Sequence, residues 1–343
     1  MNLKQLSETL GLSQTTVSRA LNGYPEVSQQ TRLRVLQAAR KYHYRPNAFA
    51  TRLATGRSKA IGHVVPVSSK REIVNPIFFD FVAGAGETYT SRGYEMLLTV
   101  VNDMELENAY RTMAQKSSVD GIILQAPLIS DPRIEILNEI GLPFVVHGRS
   151  SREQPDYSWV DINNRSAFRK ATDYLLDLEH HRIGLINGLE ILNFAHRRRL
   201  GYEEALLQRG VRPDPDLMRS GDMTEPYGRD SVHEMIGLPD PPTAFVVSSI
   251  LPAIGARRAV QELGLRLGRD ISIVIHDDVL SYLGNSGEIP MFTATRSSVR
   301  DAGRRCSELL IDIIEKPELS PIQELWEVDL VEGASTGPGP GRI

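Results

Sequence analysis

Four polar side chains in one short segment are the first candidates for chemistry. When QTTVSRAL is wound as a helix, Gln14, Thr15, Ser18 and Arg19 face outward while Val17, Ala20 and Leu21 form an apolar stripe. Gln pairs bidentately with adenine and Arg with guanine, and a Thr methyl can touch a thymine methyl, so this face suits a DNA major groove. A membrane-binding helix would set bulky apolar residues opposite its cations; this one has only Val17 and Leu21 on its packing side. Catalytic alternatives elsewhere are weaker. In Gly84-Ala85-Gly86 the third glycine of a GxGxxG loop is replaced by Tyr89, and no strand leads directly into it. Asp277 and Asp278 are adjacent, so on an extended chain they project to opposite sides and cannot flank one glycosidic bond. The single cysteine, Cys306, lies in AGRRCSELLIDII and reads as a small packing residue. No Walker, HExxH, CxxC or GxSxG pattern occurs, and no metal or cofactor is expected.

The elements around Gln14 to Arg19 are set by their caps. Leu3, Leu6 and Leu10 recur at helical spacing until Gly11 stops the first helix. Ser13 is placed to cap the second, which Asn22 and Gly23 end. Ser28 caps a third, packed through Leu33, Val35, Leu36, Ala38 and Ala39 and closing at Tyr42 before the breaker Tyr44-Arg45-Pro46. Two short helices joined by a Gly-containing turn and braced by a third make a helix-turn-helix. Charge agrees with that reading. Residues 1–60 hold ten Lys or Arg against Glu8 and Glu26, a balance of +8, so the remainder carries -12 of the net -4. A basic head on an acidic body is expected when one end alone meets a polyanion.

The body begins near residue 59, where short apolar runs alternate with helical stretches. The runs are KAIGHVVPV, YEMLLTVV, DGIILQAP, LPFVVHGR, HHRIGLING, TAFVVSS and DISIVIHDD. Helices such as 165–178 and 254–263 stand between them, which predicts α/β lobes with doubly wound parallel sheets. A chain of 343 residues accommodates two such lobes beside the head. Ligands of doubly wound sheets lie outside the carboxyl ends of the strands. His147 and His276 end equivalent strands of the two lobes and are candidates to line that crevice. The expected organisation is a head over 1–46, a hinge and linker over 47–57, a core over 58–333 divided near 160 and 290, and a flexible tail over 334–343, where GASTGPGPGRI denies a helix. MNLKQLSETL has no apolar stretch of signal-peptide length and no later segment resembles a membrane span. A cytoplasmic protein is expected.

Three segments, LSQTTVSRALNG, PEVSQQTRLRVLQAA and YRPNAFATRLATGRSKAIG, resemble in order and spacing the lactose/galactose repressor family of transcriptional regulators. The resemblance continues more weakly to about residue 336. It is nearest to regulators of alpha-glucoside utilisation through GHVVPVSS, EIVNPIFFDFVAGAGETY, LPFVVHGR and FVVSSILPAIGARRA. It implies a periplasmic-binding-protein-like core behind the head. It also implies that Gln14, Thr15 and Arg19 read bases, within a DNA-facing set that includes Ser13, Thr16, Ser18 and Asn22. A hinge helix with Asn47, Ala50 and Leu53 would form on DNA, Leu53 wedging into the minor groove.

For the core, the resemblance implies an effector site at positions matching the family pattern. Arg198 is its polar anchor, a planar fork of donors suited to paired sugar hydroxyls. The neighbouring Arg197 and Arg199 are expected on a solvated face. Asp277 is an acidic acceptor, and Phe78 with Phe79 would offer aromatic faces to a sugar ring. Arg149, Asp161 and Ser249 complete the candidates with His147 and His276. The chain departs from the family at Gly148-Arg149 and at Ser249-Ile250, where polar reach is lost and room is gained, as a disaccharide would need. The function expected is repression of carbohydrate-utilisation genes by a homodimer on a pseudo-palindromic double-stranded operator, relieved by a small sugar effector, with no membrane partner. Its rivals are a sugar-binding protein or a sugar-processing enzyme whose head meets something other than DNA.

Overall fold

The computed structural model describes residues 1–44, 56–66, 75–151, 156–319 and 321–340. Residues 1–59 form one compact unit and residues 60–343 another. The expected hinge residues Asn47, Ala50 and Leu53 lie outside the described residues.

The head is three helices: α1 (Leu3–Leu10), α2 (Gln14–Leu21) and α3 (Gln29–Lys41). Asn2 and Gln5 make a capping box on α1, and Gly11 ends it in the left-handed region at φ 62°. Ser13 and Ser28 accept from the amides of Thr16 and Thr31 at 3.0 and 3.2 Å, as their positions before apolar-periodic segments predict. Leu6, Leu10, Val17, Ala20, Val35 and Ala39 form the core. The expectation that Leu33 and Leu36 pack there is corrected: they are 54% and 36% exposed. Val35 and Ala39, four apart, define the stripe of α3, and at about 100° per residue neither leucine falls on it.

The larger unit has two six-stranded sheets. In the first lobe β1 (Ala60–Pro66), β2 (Glu95–Val101), β3 (Gly121–Gln125), β4 (Phe144–His147), β5 (Ser158–Ile162) and β11 (Gln323–Trp326) lie in the order β11-β5-β4-β3-β1-β2, all parallel. In the second, β6 (Ile183–Asn187), β7 (Met218–Ser220), β8 (Ala244–Val247), β9 (Ser272–Asp277), β10 (Thr293–Arg296) and β12 (Asp329–Val331) lie in the order β12-β10-β9-β8-β6-β7, with β12 antiparallel. Helices cover both faces, in the first lobe α4 (Pro76–Arg92), α5 (Leu106–Gln115) and α6 (Pro132–Ile140) among them. In β8, Ala244 and Val246 enter the cluster of α7 (Asn164–Asp177) and α8 (Asn193–Gln208). Phe245 and Val247 enter that of α9 (Glu225–Ile236) and α10 (Ile250–Glu262). Such strands read as continuous apolar runs because both pleat faces are buried.

The chain passes between lobes after β5, after β10 and again after β11. The third passage has no apolar run to mark it, since β11 and β12 are four and three residues long and partly exposed. Within the first lobe, α4 (Pro76–Arg92) packs on α11 (Val299–Glu315). A methyl on Gly84 would fall 1.9 Å from the Arg300 carbonyl oxygen, and one on Gly303 2.1 Å from that of Phe81. The GAG segment is therefore a close helix contact. Cys306 is fully buried in the same layer.

The closing residues require a correction. Over 334–340 the tail is docked on the second lobe rather than loose. The Ser335 hydroxyl donates to the Ile273 carbonyl and accepts from the Thr293 amide, and Gly339 donates to the Leu178 carbonyl. His180 holds the Gly337 carbonyl at 3.1 Å. Glycine and proline deny this segment a helix, yet an extended chain can still pair its amides with a fixed surface.

Candidate functional site

In the head, Ser13 caps α2, so its hydroxyl is engaged by the Thr16 amide and lies 2.8 Å from the Thr16 hydroxyl. Asn22 closes the helix by donating to the Ser18 carbonyl at 3.0 Å. These side chains fix the two ends. Between them Gln14, Thr15 and Arg19 are exposed, opposite the buried Val17 and Ala20. Two arginines brace the head: Arg32 holds the Gly23 and Tyr24 carbonyls at 2.9 and 2.8 Å, and Arg34 holds that of Leu10.

The core's candidate site centres on Arg198, six residues into α8 and 5% exposed. Its Nε donates to Asn164 Oδ1 at 2.7 Å and its Nη1 to the Ser248 carbonyl at 2.7 Å. The rings of Phe168 and Phe194 lie 5.1 and 4.9 Å from the guanidinium carbon. Both hydrogen-bond acceptors are neutral, and burial pulls the pKa of Arg198 down to about 10. A desolvated cation held by neutral groups and rings retains donors for a further oxygen-rich partner.

The two aspartates divide otherwise than expected. Asp277, 1% exposed, accepts from the Val279 amide through Oδ1 at 2.9 Å; its Oδ2 has no hydrogen-bond partner among the described residues but is ion-paired with Arg296, 3.3 Å from Nε. Asp278 is buried, its Oδ2 has no hydrogen-bond partner among the described residues, and desolvation pushes its pKa up to about 7 against the opposing field of Arg198. Strand alternation ends with β9 at Asp277, so Asp278 does not follow it. His276 is fully buried between the hydroxyls of Thr295 and Ser297 at 3.1 and 3.0 Å, which makes it a hydrogen-bonded structural residue. Ser249 is the N-cap of α10 and fully buried. Its neighbour Ser248 touches Arg198 and gives its hydroxyl hydrogen to Asn187 Oδ1 at 2.8 Å.

Arg149 and Asp161 meet directly, Nε to Oδ2 at 2.9 Å, with the guanidinium 5.0 Å from the Trp159 ring. Arg197 is corrected from a solvated position: it is half-buried, its Nε has no hydrogen-bond partner among the described residues, and desolvation followed by the field of Arg149 lowers its pKa. Arg199 does pair outward, with Glu190 and Glu203 at 2.8 Å each. The lobes join nearby, where Asn193 donates to the Arg149 carbonyl and Ile129 donates to the Ile191 carbonyl at 3.1 Å.

In the first lobe Phe78 is buried and lines a small pocket with His63, Gln125 and Arg133, while Phe79 is 50% exposed. His63 bonds Tyr89 through Nε2 at 2.9 Å. His147 lies tilted against Phe81 with centroids 4.7 Å apart, and burial lowers its pKa to about 4. Asn164 and Ser248, which hold Arg198, were not proposed from sequence, and Asp278 was set aside in favour of Asp277. Each is a common polar residue without distinctive spacing, and only the strand ends bring them near Arg198.

A two-lobed ligand-binding core carrying a helix-turn-helix head defines a class: ligand-responsive DNA-binding regulators. Residues 3–47 match the model described as bacterial regulatory proteins, lacI family, and residues 172–336 match the periplasmic binding protein-like domain. The chain is 45% identical over 343 residues to the HTH-type transcriptional regulator AglR of Rhizobium meliloti (strain 1021), covering 100% of this chain and 96% of that protein. Among solved structures it is similar to the transcriptional regulator CelR-cellobiose complex, with TM-score 0.71, 29% identity and coverage of 98% and 99%. It is also similar to the lac repressor dimer bound to operator and the anti-inducer ONPF, with TM-score 0.82, 25% identity and coverage of 98% and 99%. The chain belongs to the lacI family of bacterial regulatory proteins. It is a DNA-binding transcriptional regulator, not an enzyme. No helix among the described residues is long and apolar enough to cross a membrane.

Proposed function

We propose that this regulator is a cytoplasmic repressor of carbohydrate-utilisation genes, released from a pseudo-palindromic operator by a small sugar, an alpha-glucoside or other disaccharide. The observation that carries it is Arg198, a buried guanidinium held by Asn164 and Ser248 with no carboxylate in contact among the described residues. A neutral, hydroxyl-rich ligand supplies the acceptors it lacks, and the raised Asp278 carboxyl beside it supplies an acceptor or donor in return. The cellobiose bound in the CelR structure supports the ligand class. Gln14, Thr15 and Arg19 read base edges, with Ser13, Thr16, Ser18 and Asn22 at the backbone, and Asn47, Ala50 and Leu53 act in the hinge. The active form is a homodimer. Edge strand β2 exposes Met96, Leu97, Leu98 and Val100, an apolar edge that a second copy would cover.

Effector binding acts by favouring one arrangement of the lobes over another. Selection of duplexes from a random pool, followed by anisotropy titration with maltose, trehalose, sucrose, cellobiose and glucose, tests it. One disaccharide is expected to raise the melting temperature by mass action and weaken operator binding. A sugar that tightened operator binding would refute release by inducer.

A further inference from the structure

We propose that Asn164 is the positioning residue of the effector cluster: one amide fixes the Arg198 guanidinium and ties it to the Asp161 and Arg149 pair of the first lobe. This rests on the proposal that effector is bound at Arg198. Asn164 is the first residue of α7, reached as the chain leaves β5 for the second lobe, and is 4% exposed. Its Oδ1 accepts from Arg198 Nε at 2.7 Å; its Nδ2 donates to the Ile162 carbonyl at 3.0 Å and to Asp161 Oδ1 at 3.4 Å. A guanidinium only donates, and a carbonyl or carboxylate only accepts, so the amide has one possible orientation. Asp would keep the acceptor but set a second carboxylate against Asp161, and Ala would supply neither end.

Capping is not the reason for this residue. Asn163 caps α7, accepting from the Ser166 amide at 3.1 Å. The contacts beyond Asn164 form a closed circuit. Asp161 Oδ2 holds Arg149, the Arg149 carbonyl accepts from Asn193, and Asn193 stands five residues before Arg198 on the same helix. With Nε on Asn164 and Nη1 on the Ser248 carbonyl, the Nη2 side of Arg198 is left to meet hydroxyls. A ligand that draws the guanidinium toward itself pulls on Asn164, and through Asp161 on Arg149. The passage between the lobes thereby registers occupancy, since linked hydrogen bonds strengthen or weaken together.

The test uses the full chain, with Asn164→Ala, Asn164→Asp and Arg198→Met compared with wild type. Calorimetry is run with maltose, trehalose, sucrose and cellobiose separately, and melting temperature and operator affinity are measured in parallel. Asn164→Ala is expected to weaken the bound disaccharide by at least about tenfold, the loss of one hydrogen bond to a charged group, with sugar-free operator affinity within about threefold of wild type. Asn164→Asp keeps the hold on Arg198 and recovers most of the affinity, while the sugar's effect on operator binding shrinks. A role in stability alone would lower the melting temperature of Asn164→Ala and leave sugar affinity in place, and that result overturns the inference. So does an Asn164→Asp variant binding no better than Asn164→Ala. If Arg198→Met itself binds sugar like wild type, the proposed effector site falls and this inference with it.

Discussion

Replacing Arg198 by methionine separates what the guanidinium does for the fold from what it does for the ligand. In the free protein the charge is expensive. Burial lowers its pKa to about 10, which below that pH corresponds to about 3 kcal/mol against the charged form. Offsetting it are hydrogen bonds to Asn164 Oδ1 and the Ser248 carbonyl and the two flanking rings. Methionine removes the penalty and fills much of the same volume. It also orphans two buried acceptors, at about 1 to 3 kcal/mol each. The terms nearly cancel, so the melting temperature is expected to move by only a few degrees, roughly 1 kcal/mol. Sugar binding has no such compensation. Losing about two hydrogen bonds from a charged donor costs about 3 to 6 kcal/mol, on the order of 10²- to 10⁴-fold in Kd. Scanning fluorimetry and calorimetry on the same preparation measure both. A variant that melts more than about 10 °C lower yet binds sugar unchanged would show that Arg198 serves the fold and that the effector is held elsewhere.

Three further outcomes are expected. Arg19→Ala should relax base preference at one operator position by about 1 to 3 kcal/mol while leaving sugar affinity intact; an equal loss on every duplex would mean that Arg19 touches phosphate only. Asp278→Asn tests the buried carboxyl. With its pKa pushed up to about 7, the folded protein binds a proton that the unfolded chain releases near pH 4, so wild type loses stability as pH rises between those values. The Asn variant should match wild type near pH 4 and exceed it at pH 8, and a gap that does not widen across this window in urea melts would mean Asp278 ionises without cost. Truncation after Ala334 removes the anchors made by Ser335, Gly337 and Gly339 and should cost about 2 to 4 kcal/mol; an unchanged melting curve would return the tail to the disordered state expected from its composition.

The head was legible almost to the residue because its determinants are local. Ser13 and Ser28 bond amides three residues on, Gly11 takes a left-handed φ, and Val17 with Ala20 repeats at the helix period. The exposed Leu33 and Leu36 mark the limit of that reasoning: hydrophobic type was read as packing face, whereas the position around the cylinder decides. The parallel sheets were visible as unbroken apolar runs. The return through β11 and β12 was not, because these short strands owe their place to their partners, β5 for β11 and β10 for β12, rather than to their own pattern.

Sequence alone thus determined the class of protein: a basic helix-turn-helix ahead of two doubly wound lobes, with Arg198 singled out by the family resemblance. Tertiary structure decided the site's internal chemistry. Asp277 and Asp278 both bury an Oδ2 without a hydrogen-bond partner among the described residues, and what sets them apart is Arg296 beside the first and the desolvation of the second. Whether His276 can meet a ligand depends on Thr295 and Ser297 from the neighbouring strand and the turn beyond it. Spacing fixes which way a side chain leaves the backbone, but burial and the competing partners around its tip determine whether that tip is free to act.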